Sequence, residues 1–305
     1  MKQINRRQFV QSSLLLASST LIRFEPGRAS SKVLLSFSTL GCPDWDFKQI
    51  VDFAATHEYR GIELRGIKRQ LDLPQCAEFK DAAARKATLQ TMKEKGLRFS
   101  DLGSSANLHF PEGAERTKNL DEAKRFIDLA HEIECPFVRV FPNEFPKGQE
   151  KTATLDLMSA GLLALANYAE GSGVSVLIES HGDLVHSEDL EQVLKSAEHK
   201  QAGMIWDIVN MWSVTKEPVA QVFERLKKYI RHTHIKDAVV QGNNIKYVLL
   251  GRGNVPVFEA IDLLVKNKYK GYYSFEWEKL WHPELPAPEL ALADFSRQMM
   301  NHPGL

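Results

Sequence analysis

From Val33 onward the chain alternates between short apolar, β-branched runs and longer stretches whose apolar residues recur every three or four positions. The first pattern suits a buried strand and the second an amphipathic helix. Val33–Ser38 is followed by Asp46–His57, where Phe47, Ile50, Val51 and Ala54 share a helical face. The pairing recurs as strand Gly61–Leu64 with helix Asp81–Lys95, Leu97–Leu102 with Glu115–Ile133, and Phe137–Phe141 with Thr152–Glu170. It continues as Val174–Glu179 with Ser187–Glu198, Gly203–Asp207 with Pro218–Lys228, Ile230–Ile235 with Val257–Asn267, and Tyr272–Glu276 with Pro288–Met300. Gly96, then Gly171 and Gly173, supply helix stops, while Ser187 with Leu190 and Glu191 supplies a start.

Eight βα repeats in strict order, with nearly continuous apolar strands, predict one closed (β/α)₈ TIM barrel over residues 31–305. A doubly wound sheet would want a glycine-rich phosphate turn after the first strand, and Gly41-Cys42-Pro43 does not supply one.

Residues 1–30 carry a different message. Asn5-Arg6-Arg7-Gln8-Phe9-Val10 precedes an apolar run around Leu14, Leu15, Leu16, Ala17, Leu21 and Ile22, then Pro26, Gly27 and small residues. This order resembles a twin-arginine export signal, too short for a stable membrane span, and predicts a periplasmic protein exported after folding. The 39 basic and 39 acidic residues of the whole chain conceal a body with net charge −4 once the five bases and one acid of residues 1–30 are set aside. A mildly acidic body without a basic stripe argues against nucleic acid as partner. Cys42, Cys76 and Cys135 are isolated and odd in number, so they form neither a disulfide framework nor a metal clip.

In such barrels side chains from several strands converge at the C-terminal face. Four consecutive predicted strands end on a metal-ligating residue type: Glu179 in Val-Leu-Ile-Glu-Ser-His, Asp207 in Met-Ile-Trp-Asp, His234 in Arg-His-Thr-His-Ile-Lys-Asp, and Glu276 in Tyr-Ser-Phe-Glu-Trp-Glu. Three crowded carboxylates repel one another unless a cation offsets them. The oxygen-rich set favours one Mn²⁺, Mg²⁺ or Co²⁺ ion, with Zn²⁺ as the alternative. Glu179 to Asp207 spans 28 residues and Asp207 to His234 spans 27, each about one repeat. His234 to Glu276 spans 42, and the surplus over Asp237–Asn254 reads as a hairpin placed over the mouth as part of a lid.

These strand ends, together with Gly61-Ile62-Glu63-Leu64 and Leu250-Gly251-Arg252-Gly253, resemble the xylose-isomerase-like sugar isomerase/epimerase barrels. That family includes ketose 3-epimerases, hydroxypyruvate isomerase and inosose dehydratase, and the likeness runs from about Val33 to Met300. It implies Glu179, Asp207, His234 and Glu276 as ligands of one divalent metal, with Glu179 and Glu276 also the acid/base pair. It further implies an isomerase or epimerase that moves a proton on a sugar or keto-sugar through an enediolate. The same intermediate serves a keto-sugar dehydratase or lyase of the 3-keto-glycoside or inosose type. A sugar-binding barrel without turnover and an abasic-site endonuclease are the more distant readings.

For substrate binding the expected groups are His181, Asn210, Lys236, His109 and Arg139. Asn210 stands where many epimerases have His. Lys236 shares the inward face with His234, and His232 reads as a hydrogen-bonded core histidine one layer deeper. For His109 and Arg139 the competing readings are a loop histidine and a barrel salt bridge, and Glu63 is a carboxylate behind the ligands. Trp206, Trp212, Trp277 and Trp281 lie beside site positions, where they stack on sugar or pack strand against helix. Export favours free, glycosidic or oxidised sugars as substrate, and a homo-oligomer is a further expectation.

Overall fold

A computed structural model describes residues 33–305, so the expected leader lies outside the described residues. Eight parallel strands close into a barrel: β1 Leu35–Ser38, β2 Gly61–Leu64, β3 Arg98–Asn107, β4 Phe137–Phe141, β5 Ser175–Glu179, β6 Ala202–Asp207, β7 Ile230–Ile235 and, after the hairpin strands β8 Asp237–Gln241 and β9 Asn244–Val248, β10 Tyr273–Phe275. β1 pairs with both β2 and β10, which closes the ring and leaves no open edge. The predicted barrel is therefore the observed one.

The helices are α1 Phe47–Thr56, α2 Ala82–Glu94, α3 Ala114–Glu132, α4 Lys151–Tyr168, α5 Ser187–Ser196, α6 Ile208–Thr215, α7 Val219–Leu226, α8 Val257–Lys266 and α9 Pro288–Met300. Their starts follow from short polar side chains. Asp46 accepts from the Gln49 amide at 2.8 Å while Gln49 accepts from the Asp46 amide at 3.0 Å, a capping box opening α1. Asp81 does the same service for α2 through the Ala84 amide. Gly96, Gly171 and Gly173 take positive φ after their helices, as expected of stops.

Strand alternation divides the side chains cleanly. Phe37, Trp206 and Phe275 point outward and meet helix residues, with ring centroids 6.4 Å from Phe53, 5.8 Å from Phe223 and 4.5 Å from Phe295 respectively. Among the described residues no helix is long and apolar enough to cross a membrane. Cys42, Cys76 and Cys135 are free thiols, all buried.

Three elements differ from expectation. β3 runs on to Asn107 instead of stopping at Leu102, because Ser104 Oγ donates to the Arg139 carbonyl at 2.6 Å and ties the small, polar second half of the strand to β4. α6 directly follows β6 where a loop was expected, its start capped by Asp207 itself. At α5 the Ser187 hydroxyl does not cap the helix; it donates to Glu217, and His186 takes the cap position.

Candidate metal centre

The inward positions of the last four barrel strands carry the polar residues. Glu179 ends β5, Asp207 ends β6, His234 lies within β7 and Glu276 follows β10 by one residue. One ligand atom from each lies within 4.8 Å of the others, and all four side chains are buried. His234 Nδ1 is the hub, 3.1 Å from Glu179 Oε1, 3.4 Å from Glu276 Oε1 and 3.7 Å from Asp207 Oδ2.

Each member is held from behind. Asp207 Oδ1 accepts from the Asn210 amide at 2.8 Å, so capping α6 turns Oδ2 toward the cluster, where it finds no hydrogen-bond partner of good geometry. Glu179 Oε2 accepts from Arg139 at 3.1 Å. Glu63 Oε2 lies 3.2 Å from His234 Nε2 and 3.0 Å from His232 Nε2, and accepts from Ser274 Oγ at 2.8 Å. That makes Glu63 the rear support expected of it and His232 a hydrogen-bonded core histidine. A carboxylate on the far nitrogen of an imidazole fixes the ring and raises its basicity as a ligand.

Lys236, one inward position above His234 and 1% exposed, donates to Glu276 and to Glu278, each at 2.6 Å, and lies 2.8 Å from Asp207 Oδ2. Burial alone would pull Lys236 down, but Asp207, Glu276 and Glu278 outweigh it and hold the ammonium charged. His234 behaves alike: burial disfavours its imidazolium, yet Glu276, Glu63 and Glu179 drive it well above the usual histidine range. Glu276 is pushed up to about 7, mainly by burial. For Glu179, burial works in the same direction, but the His234 and Arg139 charges prevail and hold its carboxyl below the usual range. The donor set, one atom from each of three carboxylates and an imidazole all within 4.8 Å of one another, fits a hard divalent cation.

A cavity of about 230 Å³ opens above the cluster, lined by Arg65, Arg139, Glu179, His181, Lys236, Glu276, Glu278, Leu40, Phe141 and Trp281. Of the expected substrate groups it admits Arg139, Lys236 and His181, the last with its Nδ1 buried and unpartnered. Arg139 is thus both a barrel salt bridge and a cavity wall.

Two of the expected substrate groups stand outside this cavity. Asn210 does not line this cavity; as part of α6 it donates to the Ser180 carbonyl at 3.2 Å and braces the β5 end. His109 does not line it either, lying 3.8 Å from Glu144 with burial pulling its pKa down. Trp281 meets the cavity at 53% exposure, whereas Trp206 and Trp277 are packing residues of the barrel wall and Trp212 lies partly buried under Lys216. The hairpin forms as expected, its two-residue turn at Gly242-Asn243 joining β8 to β9. It brings Tyr247 within 5.5 Å of Lys236 Nζ and 5.2 Å of the His282 ring.

The reading of the sequence missed Arg65 and Glu278. Both were within reach: Glu278 sits two residues past Glu276, and Arg65 two past Glu63, the spacing that keeps a strand residue on the same face.

A closed parallel barrel with a hard-ligand cluster at the carboxyl ends of its strands defines the structural class. Within that class the chain belongs to the xylose isomerase-like TIM barrel family, whose model matches residues 51–298. A curated relative, fructoselysine 3-epimerase of Shigella flexneri, is 24% identical over 166 residues, which span 53% of this chain and 59% of the relative's length. Among solved structures, a probable 3-DHS dehydratase from Bacillus anthracis superposes with TM-score 0.70 at 18% identity, covering 88% of this chain and 100% of the other. The IOLI protein with a bound zinc atom superposes with TM-score 0.73 at 16% identity, covering 88% and 97%.

Proposed function

We propose that the chain is a divalent-metal-dependent sugar isomerase or epimerase that moves a proton at the carbon beside a carbonyl. The observation that carries this reading is the placement of Glu179 and Glu276 on non-adjacent strands, each within 3.4 Å of the same His234 nitrogen. Two carboxylates entering from different sides suit removal of a proton from one face of a carbon and its return to the other.

Glu179, Asp207, His234 and Glu276 are the residues that would hold the ion, with Mn²⁺, Mg²⁺ or Co²⁺ favoured by the donor set and Zn²⁺ the alternative. When bound, a divalent ion supplies Lewis acidity, polarising a carbonyl and acidifying the adjacent C–H. The remaining work belongs to the chain. Glu179 and Glu276 hold and move the proton, with Arg139 and Lys236 orienting one carboxylate each. His181 faces the cavity as a group for substrate hydroxyls, and Trp281 offers an aromatic face at its mouth. Delivery of the folded protein to the periplasm by the twin-arginine-like leader is part of the same proposal.

The test is incubation of metal-loaded protein with keto-sugars in D₂O. The expected result is solvent deuterium on carbon, lost by at least about 100-fold in Glu179→Gln and in Glu276→Gln. Exchange that survives in both variants refutes the proton transfers. A product that has lost water moves the assignment to the keto-sugar dehydratase or lyase class.

A further inference from the structure

We infer that the cavity contains a carboxylate-binding subsite built by Arg65 and Arg139, and that the substrate is therefore a sugar acid. The inference rests on the proposed sugar chemistry and narrows its substrate class.

Arg65, just past β2, and Arg139, on β4, reach the cavity from strands that flank β3. They are 7% and 3% exposed, which is unusual for guanidinium groups that always carry charge. Between them stands Gly103, and the missing side chain is what lets them converge. A Cβ there would lie 2.7 Å from Arg139 Nη2 and 2.8 Å from Arg65 Cδ.

Of the two charges, only that of Arg139 is paired among the described residues. Arg139 spends Nη1 on Glu179, while its buried Nε has no partner and its plane lies against Phe141, 3.6 Å from the ring centroid. Arg65 donates to Ser105 Oγ at 3.0 Å and reaches the Gly103 carbonyl at 3.5 Å, both neutral acceptors, and among the described residues it makes no ion pair. Glu179, Glu276 and Glu278 also line the cavity, but Arg139 and Lys236 pair with them and none lies within ion-pair distance of Arg65, whose planar fork is left to match an incoming carboxylate. Lys236, the other cavity cation, is already committed to Glu276 and Glu278. The anion is thereby directed to the β2–β4 side of the mouth, leaving the sugar carbons over the Glu179 and Glu276 side.

The experiment measures binding by titration calorimetry on the full chain, without turnover. The probes are the pairs D-glucuronate and D-glucose, and D-galacturonate and D-galactose, which differ only at C6, with D-glucose 6-phosphate as a third arm. An acid binding about 10-fold or more tighter than its neutral partner is expected, with that ratio falling to about 2 or less in Arg65→Met. Arg65→Lys, which keeps the charge but not the fork, is expected to lose several-fold and serves if Arg65→Met does not fold. Absence of acid binding, an acid-to-neutral ratio unchanged in both variants, or tighter binding of the phosphate ester overturns the inference. An Arg65-dependent preference without deuterium exchange on any sugar leaves it standing and removes the isomerase reading; exchange on neutral sugars with no acid preference does the reverse.

Discussion

Replacing Lys236 by Met isolates how the carboxylate cluster is held together. In the folded chain the ammonium lies within 2.8 Å of oxygens from Asp207, Glu276 and Glu278, at 1% exposure. Methionine keeps much of the side chain's volume and removes the charge, leaving three acids without their cation. Removing one partner of a buried ion pair costs about 3–5 kcal/mol. For a barrel of this size each kcal/mol moves Tm by about 2 °C, so the metal-free variant is expected to melt about 6–10 °C below wild type. Protonation of Glu276, already pushed up to about 7, would absorb part of the cost, so the measurement belongs at about pH 8. The assay is thermal unfolding by circular dichroism in EDTA and again in excess Mn²⁺. A divalent ion answers the same acids, and at a hundredfold excess over Kd it adds about 3 kcal/mol to any protein that binds it. In the variant it no longer competes with the ammonium, so Mn²⁺ should raise Tm more there than in wild type. An unchanged Tm in EDTA, or a deficit as large in Mn²⁺ as without it, would refute both the charge balance and the proposed ligand set.

Three further outcomes follow from the same structure. Because the folded pKa of Glu276 is raised from 4.5 to about 7, its contribution to stability is present below pH 4.5 and lost as pH rises through 7. Urea unfolding of the metal-free protein at both ends of that window should show the wild type losing roughly 3 kcal/mol relative to Glu276→Gln; an identical dependence in the two rejects it. Asp237 accepts from the Ala238, Gly251 and Gly253 amides at 2.8, 2.9 and 2.8 Å, so Asp237→Ala should cost about 2–4 kcal/mol and speed hydrogen exchange at 251 and 253. Gly182 sits at φ +60 where a Cβ would fall 1.8 Å from the Asn143 carbonyl oxygen, so Gly182→Ala should lower stability by at least about 2 kcal/mol, measured by denaturant unfolding.

The barrel and its ligand cluster were readable because outward and inward strand positions differ in kind. In β5 and β6 the outward residues Val176, Ile178, Met204 and Trp206 give the apolar signal, and a terminal acid interrupts it where the strand reaches the mouth. The misses have local causes. The second half of β3, Gly103-Ser104-Ser105-Ala106-Asn107, has no apolar alternation and is a strand only through its partners. α6 was hidden because Asp207 ends a strand and caps a helix at once, leaving no loop residues to mark the change. The same helix start sets the direction of Asn210, whose side chain donates to the Ser180 carbonyl, a contact that distance past a strand end does not reveal. Arg65 needed the inward register of β2 carried one residue beyond the apolar run.

The interior of this barrel shows where its stability must come from. Barrel interiors are ordinarily filled by branched apolar side chains. Here Ser36, Glu63, Asp101, Arg139, His232, His234 and Ser274 are all buried in the inward-facing layers. Asp101 has no hydrogen-bond partner on either oxygen, and burial with Glu63 nearby drives its carboxyl well above the usual range. Buried groups of this kind contribute little net stability and cost much when unpaired. The compensation lies on the outer face of the same strands, where Leu35, Phe37, Ile62, Leu64, Val138, Val140, Ile178, Trp206 and Phe275 are all essentially inaccessible. An apolar strand–helix shell thus carries a polar axis, and the division falls at every second residue. Substitutions on the outward set should therefore act on folding, whereas inward ones such as Lys236→Met should act on stability in a way that depends on bound cation. Only the inward positions are coupled to what occupies the mouth.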